Sequence, residues 1–292
     1  MRFLTGLAGL ILLLPAFGTE AAAVVTVEAL APPAWVIRNG QPGPASVGLE
    51  LAPGEILKTG AGGRARLRLP DGSTFKLGEN SRFFVADSTV STEAGRLFRA
   101  TLRVLTGAFR FTTPAPATAD IPRDVTIRLP TLTAGIRGTD VWGKALDGRE
   151  RIVLIEGKVG VRADSGEEVS IERRLSMVEK NPGVPLSAAT PMTPTDLETY
   201  ALETEITNDS AGQERGGPWK VTALATRAQR EALAVYDRLR AAGFHAVIEP
   251  TGQRSSVIYR VRLTGVASRQ GAIALADRIR GSVGMNGAAV SR

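Results

Sequence analysis

The sequence predicts an α+β protein in two unequal parts. The N-terminal part is all-β, either a sandwich or a β-solenoid-like stack, and the small C-terminal part is a ferredoxin-like βαββαβ unit. Three observations lead there. Short alternating strands separated by Gly-containing turns fill residues 24–180. Two segments of helical period then appear, both within residues 218–292. The length of 292 residues also exceeds what one hydrophobic core usually serves.

The strand pattern is clearest in "RARLRLPDGSTFKLG". Ala65, Leu67 and Leu69 alternate with Arg64, Arg66 and Arg68, and beyond the turn Phe75 and Leu77 alternate with Thr74 and Lys76. Asp71-Gly72 fits a two-residue hairpin turn, and Pro70 sits at a strand end where its missing N–H costs little. Arg66, Arg68 and Lys76 then point away from the core and form a candidate protein-interaction face. Similar runs recur as "LRVLTGAFRFTT", "DVTIRL", "GTDVWGKAL", "RIVLIEGKVGVRA" and "EVSIERRLSMVEK".

Residues 181–217 change character. Prolines, then acidic residues, then Gly and Ser read as a flexible linker. Within it, Thr195 and Glu198 have capping-box spacing and open a short helix ending near Ile206.

The C-terminal part, 218–292, begins with the strand "PWKVTALA". A helix follows with Ala228, Ala232, Val235, Tyr236 and Leu239 on one face, then the strands "HAVIEP" and "SSVIYRVRL". A second helix is capped by Ser268 and turns Ala272, Ala276 and Ile279 inward, and "GAAV" supplies a last strand. In this order both helices cover one sheet face and leave the other open. Alternation places Lys220, Thr222 and Leu224 of the first strand on the open side, with Ser256, Ile258, Arg260 and Arg262 of the third.

Residues 1–23 have the layout of a secretory signal: Arg2, an apolar stretch from Phe3 to Leu14, and small residues ending at Ala23. That predicts export to the periplasm or cell envelope, with no stable membrane insertion once the signal is removed. The chain has no cysteine and one histidine. Disulfides, thiol nucleophiles and zinc sites built from Cys or several His are therefore excluded, with most histidine-based catalysis. No catalytic constellation, metal site or cofactor site is read.

"GAGGRA" at 60–65 leads into a strand and not a helix, so its glycines serve a turn. Glu167 and Glu168 are adjacent on a strand and face opposite ways. His245 has no ligand partner in the pattern. Trp35, Trp142 and Trp219 are assigned to packing. Asn208-Asp209-Ser210 fits a glycosylation acceptor only by pattern.

From Trp219 onward there are 12 Lys plus Arg against 4 Asp plus Glu, while the whole chain has a net charge of +7. The positive field therefore belongs to the C-terminal unit, and a cationic face attracts polyanions.

"PWKVTALATRAQREALAVYDRLRAAGFHAVIEP", "YRVRLTG" and the "SRQGA" opening of the second helix resemble the SPOR domain. The resemblance implies binding of peptidoglycan, especially glycan strands stripped of their peptides, through the open sheet face. Arg260 matches an arginine on that family's binding face. The first strand departs from the family pattern, with Val221-Thr222-Ala223-Leu224-Ala225-Thr226 where a glutamine, a glycine and an aromatic are usual, and Ile258 stands where an aromatic is common. "ARLRLPDGSTFKLGENSRF", "LTGAFRFTTP", "AGIRGTD" and "VLIEGKVGVRA" are similar to the FecR domain over residues 34–180. This implies an envelope protein as partner.

The combined expectation is a non-enzymatic exported envelope protein. It binds peptidoglycan, not nucleic acid, through Lys220, Thr222, Ile258, Arg260 and Arg262. The alternative is a periplasmic sensor in which the FecR-like unit contacts a receptor or partner protein.

Overall fold

The computed structural model describes residues 21, 22, 24–91, 97–114, 122–136, 138–207, 210–252, 256–284 and 287–292. The signal sequence expected over 1–23 lies outside these residues apart from Ala21 and Ala22, and so do Asn208 and Asp209 of the glycosylation pattern. Among the described residues the chain is strand-rich with three helices. None of the helices is long and apolar enough to cross a membrane.

The N-terminal strands form two hydrogen-bonded sheets around one apolar core, which selects the sandwich over the solenoid. The front sheet runs, from one edge, through Ser176–Lys180, Arg149–Glu156, Asp140–Leu146, the second half of Leu97–Thr112, Thr74–Leu77, Arg64–Arg68 and Val25–Ala31. The back sheet runs through Glu168–Ile171, Val159–Ala163, Leu132–Ile136, Arg123–Arg128, the first half of Leu97–Thr112, Arg82–Ser91, Ile56–Thr59 and Ala34–Arg38. Pairing is antiparallel throughout except between Leu97–Thr112 and Arg123–Arg128. Alternation sends Leu67, Phe75, Leu77, Phe109 and Phe111 of the front sheet inward to meet Phe83, Phe98 and Leu102 of the back sheet. Phe75 stacks on Phe109 at 5.4 Å and meets Phe83 across the gap at 4.7 Å.

Leu97–Thr112 belongs to both sheets, with Thr106 paired in the back sheet and Gly107 in the front one. Gly107 has φ +95°, and a Cβ there would lie 2.0 Å from Ser81 Oγ, so only glycine lets the strand cross over.

The hairpin turn differs from the expected two-residue form. Leu69 N–H donates to Ser73 O at 2.9 Å, enclosing a three-residue loop in which Gly72 has φ +80°. The reason is the side chain of Asp71. It accepts from Ser73 N at 3.1 Å and Ser73 Oγ at 2.6 Å, and pairs with Arg123 of the back sheet at 3.0 Å. The loop is thus pinned across the sandwich by a buried ion pair, whose one-sided loss costs about 3–5 kcal/mol.

Helix α1, Pro194–Thr204, is capped by Thr193 with Asp196, not by Thr195 with Glu198. Pro194 explains the shift, because proline favours the first helical position and so places the cap one residue before it. The segment read as a flexible linker lies along the outer side of the front sheet. Tyr200 stacks on Trp142 at 4.4 Å, and Met192 and Leu197 cover Val153 and Ala108. Lys144 pairs with Glu203 at 2.8 Å, and Lys76 pairs with Glu205.

In the C-terminal unit, Trp219–Thr226, α2 (Gln229–Ala241), Val247–Thr251, Ile258–Val266, α3 (Arg269–Val283) and Ala289–Ser291 follow in order. Ser268 caps α3 by accepting from Gly271 N at 2.9 Å. Ala232, Val235 and Leu239 of α2 and Ala272, Leu275, Ala276 and Ile279 of α3 pack on Val221, Val261 and Leu263 of the sheet.

A two-residue strand, Gln213–Glu214, joins the parts. Gln213 pairs with Leu30 of the front sheet and with Val266 of the C-terminal sheet. Residues in register share a side. Leu30 faces the sandwich core and Val266 faces the helices. The open face of the C-terminal sheet therefore continues the outer side of the front sheet. The joint is reinforced where Ala34 N–H donates to Gly243 O at 3.0 Å and Trp35 Nε1 donates to Ala241 O at 3.2 Å. A Cβ on Gly243 would lie 2.6 Å from the Trp35 ring.

Two outcomes test this account. Gly107→Ala should destabilise the fold by about 3 kcal/mol or more, measured by denaturant unfolding, because it combines a disallowed φ with a clash against Ser81. Glu150 is buried and accepts from Thr131 N at 2.8 Å and Oγ1 at 2.9 Å, and desolvation raises its carboxyl above the usual range. The unfolded chain releases this proton first, so the group's contribution to stability is full below about pH 4.5 and declines as pH rises toward the raised value. Glu150→Gln should flatten that part of the stability profile between acid and neutral pH.

Candidate binding face

The C-terminal sheet has the strand order Val247–Thr251, Ile258–Val266, Trp219–Thr226, Ala289–Ser291, antiparallel throughout. Its helix side is closed by α2 and α3. Register places Thr222 beside Arg262 and Ala225 beside Arg260. On the edge strand, Val247 is beside Arg262, Glu249 beside Arg260 and Thr251 beside Ile258. Lys220 faces Ser291 on the other side. The open face thus brings together Lys220, Thr222, Ile258, Arg260 and Arg262, as alternation requires.

Leu224 departs from the expectation. A bulge between Thr222 and Leu224 resets the alternation, so Leu224 pairs with Val261 and packs on the helix-side core, while exposed Ala225 takes its place beside Arg260.

Both arginines reach diagonally across the sheet. Arg262 Nη1 donates to Glu249 Oε2 at 2.5 Å and Arg262 Nε to Thr222 Oγ1 at 3.2 Å. Arg260 Nη1 donates to Thr251 Oγ1. Glu249 and Thr251 were not singled out from the sequence, although the alternation of "VIEPT" would have placed them on this face. Glu249 partly neutralises the face, which leaves a set of fork-shaped donors and hydroxyls suited to a hydroxyl-rich ligand carrying some carboxylate. The charge surplus of the unit lies mostly elsewhere. Arg230, Arg238 and Arg240 are on α2, and Arg269, Arg278 and Arg280 on α3.

The other candidate face holds Arg66, Arg68 and Lys76 on the outer side of the front sheet, and there the cations are neutralised within the chain. Arg66 and Arg68 share Glu28 at 2.9 and 2.7 Å, and Lys76 is taken by Glu205 after α1. The two arginines hold the Glu28 carboxyl below its usual range against the opposing effect of burial. Beyond them, a groove of about 930 Å³ between α1 and the sheet is lined by Trp142, Lys144, Arg149, Arg151 and Tyr200. Two of its basic residues are also engaged, Arg151 by Glu179 at 2.5 Å and Lys144 by Glu203 at 2.8 Å.

Trp142 is buried under Tyr200, Trp219 packs at the rim of the C-terminal core, and Trp35 fills the joint. Among the described residues no three Asp, Glu or His side chains gather as a metal-binding group. His245 is half-buried beside α2, and desolvation, with the charge of Arg240, lowers its pKa from 6.5. The unfolded chain then binds a proton that the folded one refuses, so this contribution is full above about pH 6.5 and is lost as pH falls toward the depressed value. His245→Gln should remove that loss, read as a shallower fall in thermal midpoint between about pH 7 and about pH 5.

Comparison with known proteins finds one family in each part of the chain. Residues 55–160 match the family described as FecR protein, and residues 216–292 match the SPOR domain. No curated protein matches the chain. Two crystal structures of a putative anti-sigma factor from Parabacteroides distasonis ATCC 8503 are similar to it at 14% identity over 78% of this chain. The matches cover 91% and 92% of those chains, with TM-scores of 0.40 and 0.41. With one domain matched within the strand-rich N-terminal part and another across the C-terminal part, the chain joins a FecR domain to a C-terminal SPOR domain.

Proposed function

We propose that this is an exported cell-envelope protein that binds peptidoglycan glycan strands non-covalently through the open sheet face of residues 218–292. In this reading residues 24–180 are a FecR-like scaffold or protein-interaction unit, 181–217 tie the two parts together, and the C-terminal unit is ferredoxin-like. The SPOR match makes peptidoglycan the ligand class. The observation that carries the residue assignment is the convergence of Lys220, Thr222, Ile258, Arg260 and Arg262 on a face that no helix covers. A glycan strand is extended and rich in hydroxyls, and once its peptides are removed it exposes lactyl carboxylates. Arg260 and Arg262 supply planar donors for those groups, Thr222 and Thr251 exchange hydrogen bonds with the sugars, and Ile258 offers apolar contact. The chemistry is recognition without bond cleavage.

The test is co-sedimentation of the full chain with purified sacculi before and after amidase treatment. Binding should rise on amidase-treated sacculi and weaken with salt. Arg260→Ala should weaken it about tenfold, the order of one charge-assisted hydrogen-bond set. Absence of the chain from both pellets refutes the reading.

A further inference from the structure

The side of the molecule turned away from the glycan face carries a set of cations that no carboxylate pairs, alongside two exposed acids, Asp87 and Asp124. The outer side of the back sheet shares an orientation with the helices of the C-terminal unit, because both lie opposite the surface that runs from the front sheet to the open face. On that side exposed Lys58 stands beside exposed Arg82, Arg103 lies between Phe84 and exposed Arg128, and Trp35 lies beside Lys58. Arg162, one strand beyond Arg128 across Thr133, is paired with Glu168 at 2.9 Å. No carboxylate among the described residues pairs with Lys58, Arg82, Arg103 or Arg128.

Three of the cations on this side lie over aromatic rings. Arg103 lies over Phe84 at 5.2 Å, Lys58 over Trp35 at 5.6 Å and, across the joint, Arg240 over Tyr236 at 5.2 Å. Trp35 ties the two units together here, since it also packs against Gly243 just past α2. The helices add Leu233 and Ile273, 44% and 39% exposed.

We infer that this side docks on the surface of an anionic lipid bilayer. The cations extend over several strands and onto the helices, and three of them cap aromatic rings. Such a broad array suits a planar field of phosphate headgroups, where each Lys or Arg adds a small increment and rings reside at the interface. Binding is peripheral, and the opposite glycan face stays free.

The experiment is co-sedimentation of the full chain with vesicles of phosphatidylcholine alone or with about 30% phosphatidylglycerol, at about 50 and about 500 mM salt. Pelleting with the anionic vesicles at low salt only is expected. The combined variant Lys58→Glu, Arg82→Glu and Arg128→Glu should reduce partitioning by at least about tenfold, given roughly fivefold per surface cation. Its near-UV circular dichroism and sacculus binding should match the parent. If that variant misfolds, Arg82→Gln with Arg128→Gln replaces it, with a smaller loss in the same direction. Equal pelleting with both vesicle types, or full retention by a folded variant, overturns the inference. So does binding of soluble polyphosphate without vesicle pelleting, which would indicate a free polyanion. Sacculus binding is scored separately, so failure here is distinguishable from failure of the glycan reading.

Discussion

The hydrogen-bonded step at Gln213–Glu214 decides how the molecule presents its surfaces. Backbone pairing to Leu30 on one side and Val266 on the other leaves no choice about which face of the C-terminal sheet continues the front sheet. Trp35, wedged against Gly243, and Arg278, donating to Gly62 O at 3.3 Å, hold that relation from the helix side. A Cβ on Gly217 would meet Gly265 O at 2.3 Å, so the backbone turns into the first C-terminal strand in direct contact with the third. The open face is therefore offered in one orientation relative to the sandwich.

Charge follows the same geometry. On the outer side of the front sheet nearly every cation meets a carboxylate from a neighbouring strand or from the strap that contains α1. Glu203 and Glu205 together reach Lys144, Lys76 and Arg110, the last at 3.6 Å. These pairs are partly exposed and each contributes at most about 1 kcal/mol, yet they fix the strap with Tyr200 over Trp142. Compensation is incomplete at the back sheet, where Arg162 is paired but Lys58 and Arg103 lie over rings. Net charge along the sequence thus gives little guide to where the field emerges. Six of the twelve C-terminal cations are on α2 and α3 together with three of the four acids, and the near-neutral sandwich is compensated more fully on its front side than on its back.

Period-two alternation made the hairpin strands legible because one face of each is fully buried. Ala65, Leu67, Phe75 and Leu77 are all inward. The open face was legible for the same reason through Arg260 and Arg262. The missed features depend on contacts remote in sequence. Arg123, 52 residues beyond Asp71, turns a nominal two-residue turn into a longer loop. The bulge at Ala223 exchanges Leu224 for Ala225, and composition conceals it because both residues are apolar. The strap looked like spacer because prolines, acids and glycines punctuate it and no long apolar period emerges, yet Met192, Leu197 and Tyr200 suffice to cover one patch. Arg66, Arg68 and Lys76 read as free until Glu28 and Glu205 came alongside them.

The joint also bears on mechanics. A chain gripping the wall through its last domain transmits any pull from the rest of the molecule through this connection. The sandwich is sewn together by Leu97–Thr112, whose backbone would have to leave two sheets at once before they could part. The bridging strand holds only two register pairs to Val25–Ala31 and one to Ile258–Val266. If residues 218–292 grip the wall as proposed, the load falls on this short strand and the Trp35 and Arg278 contacts beside it before it reaches the sandwich.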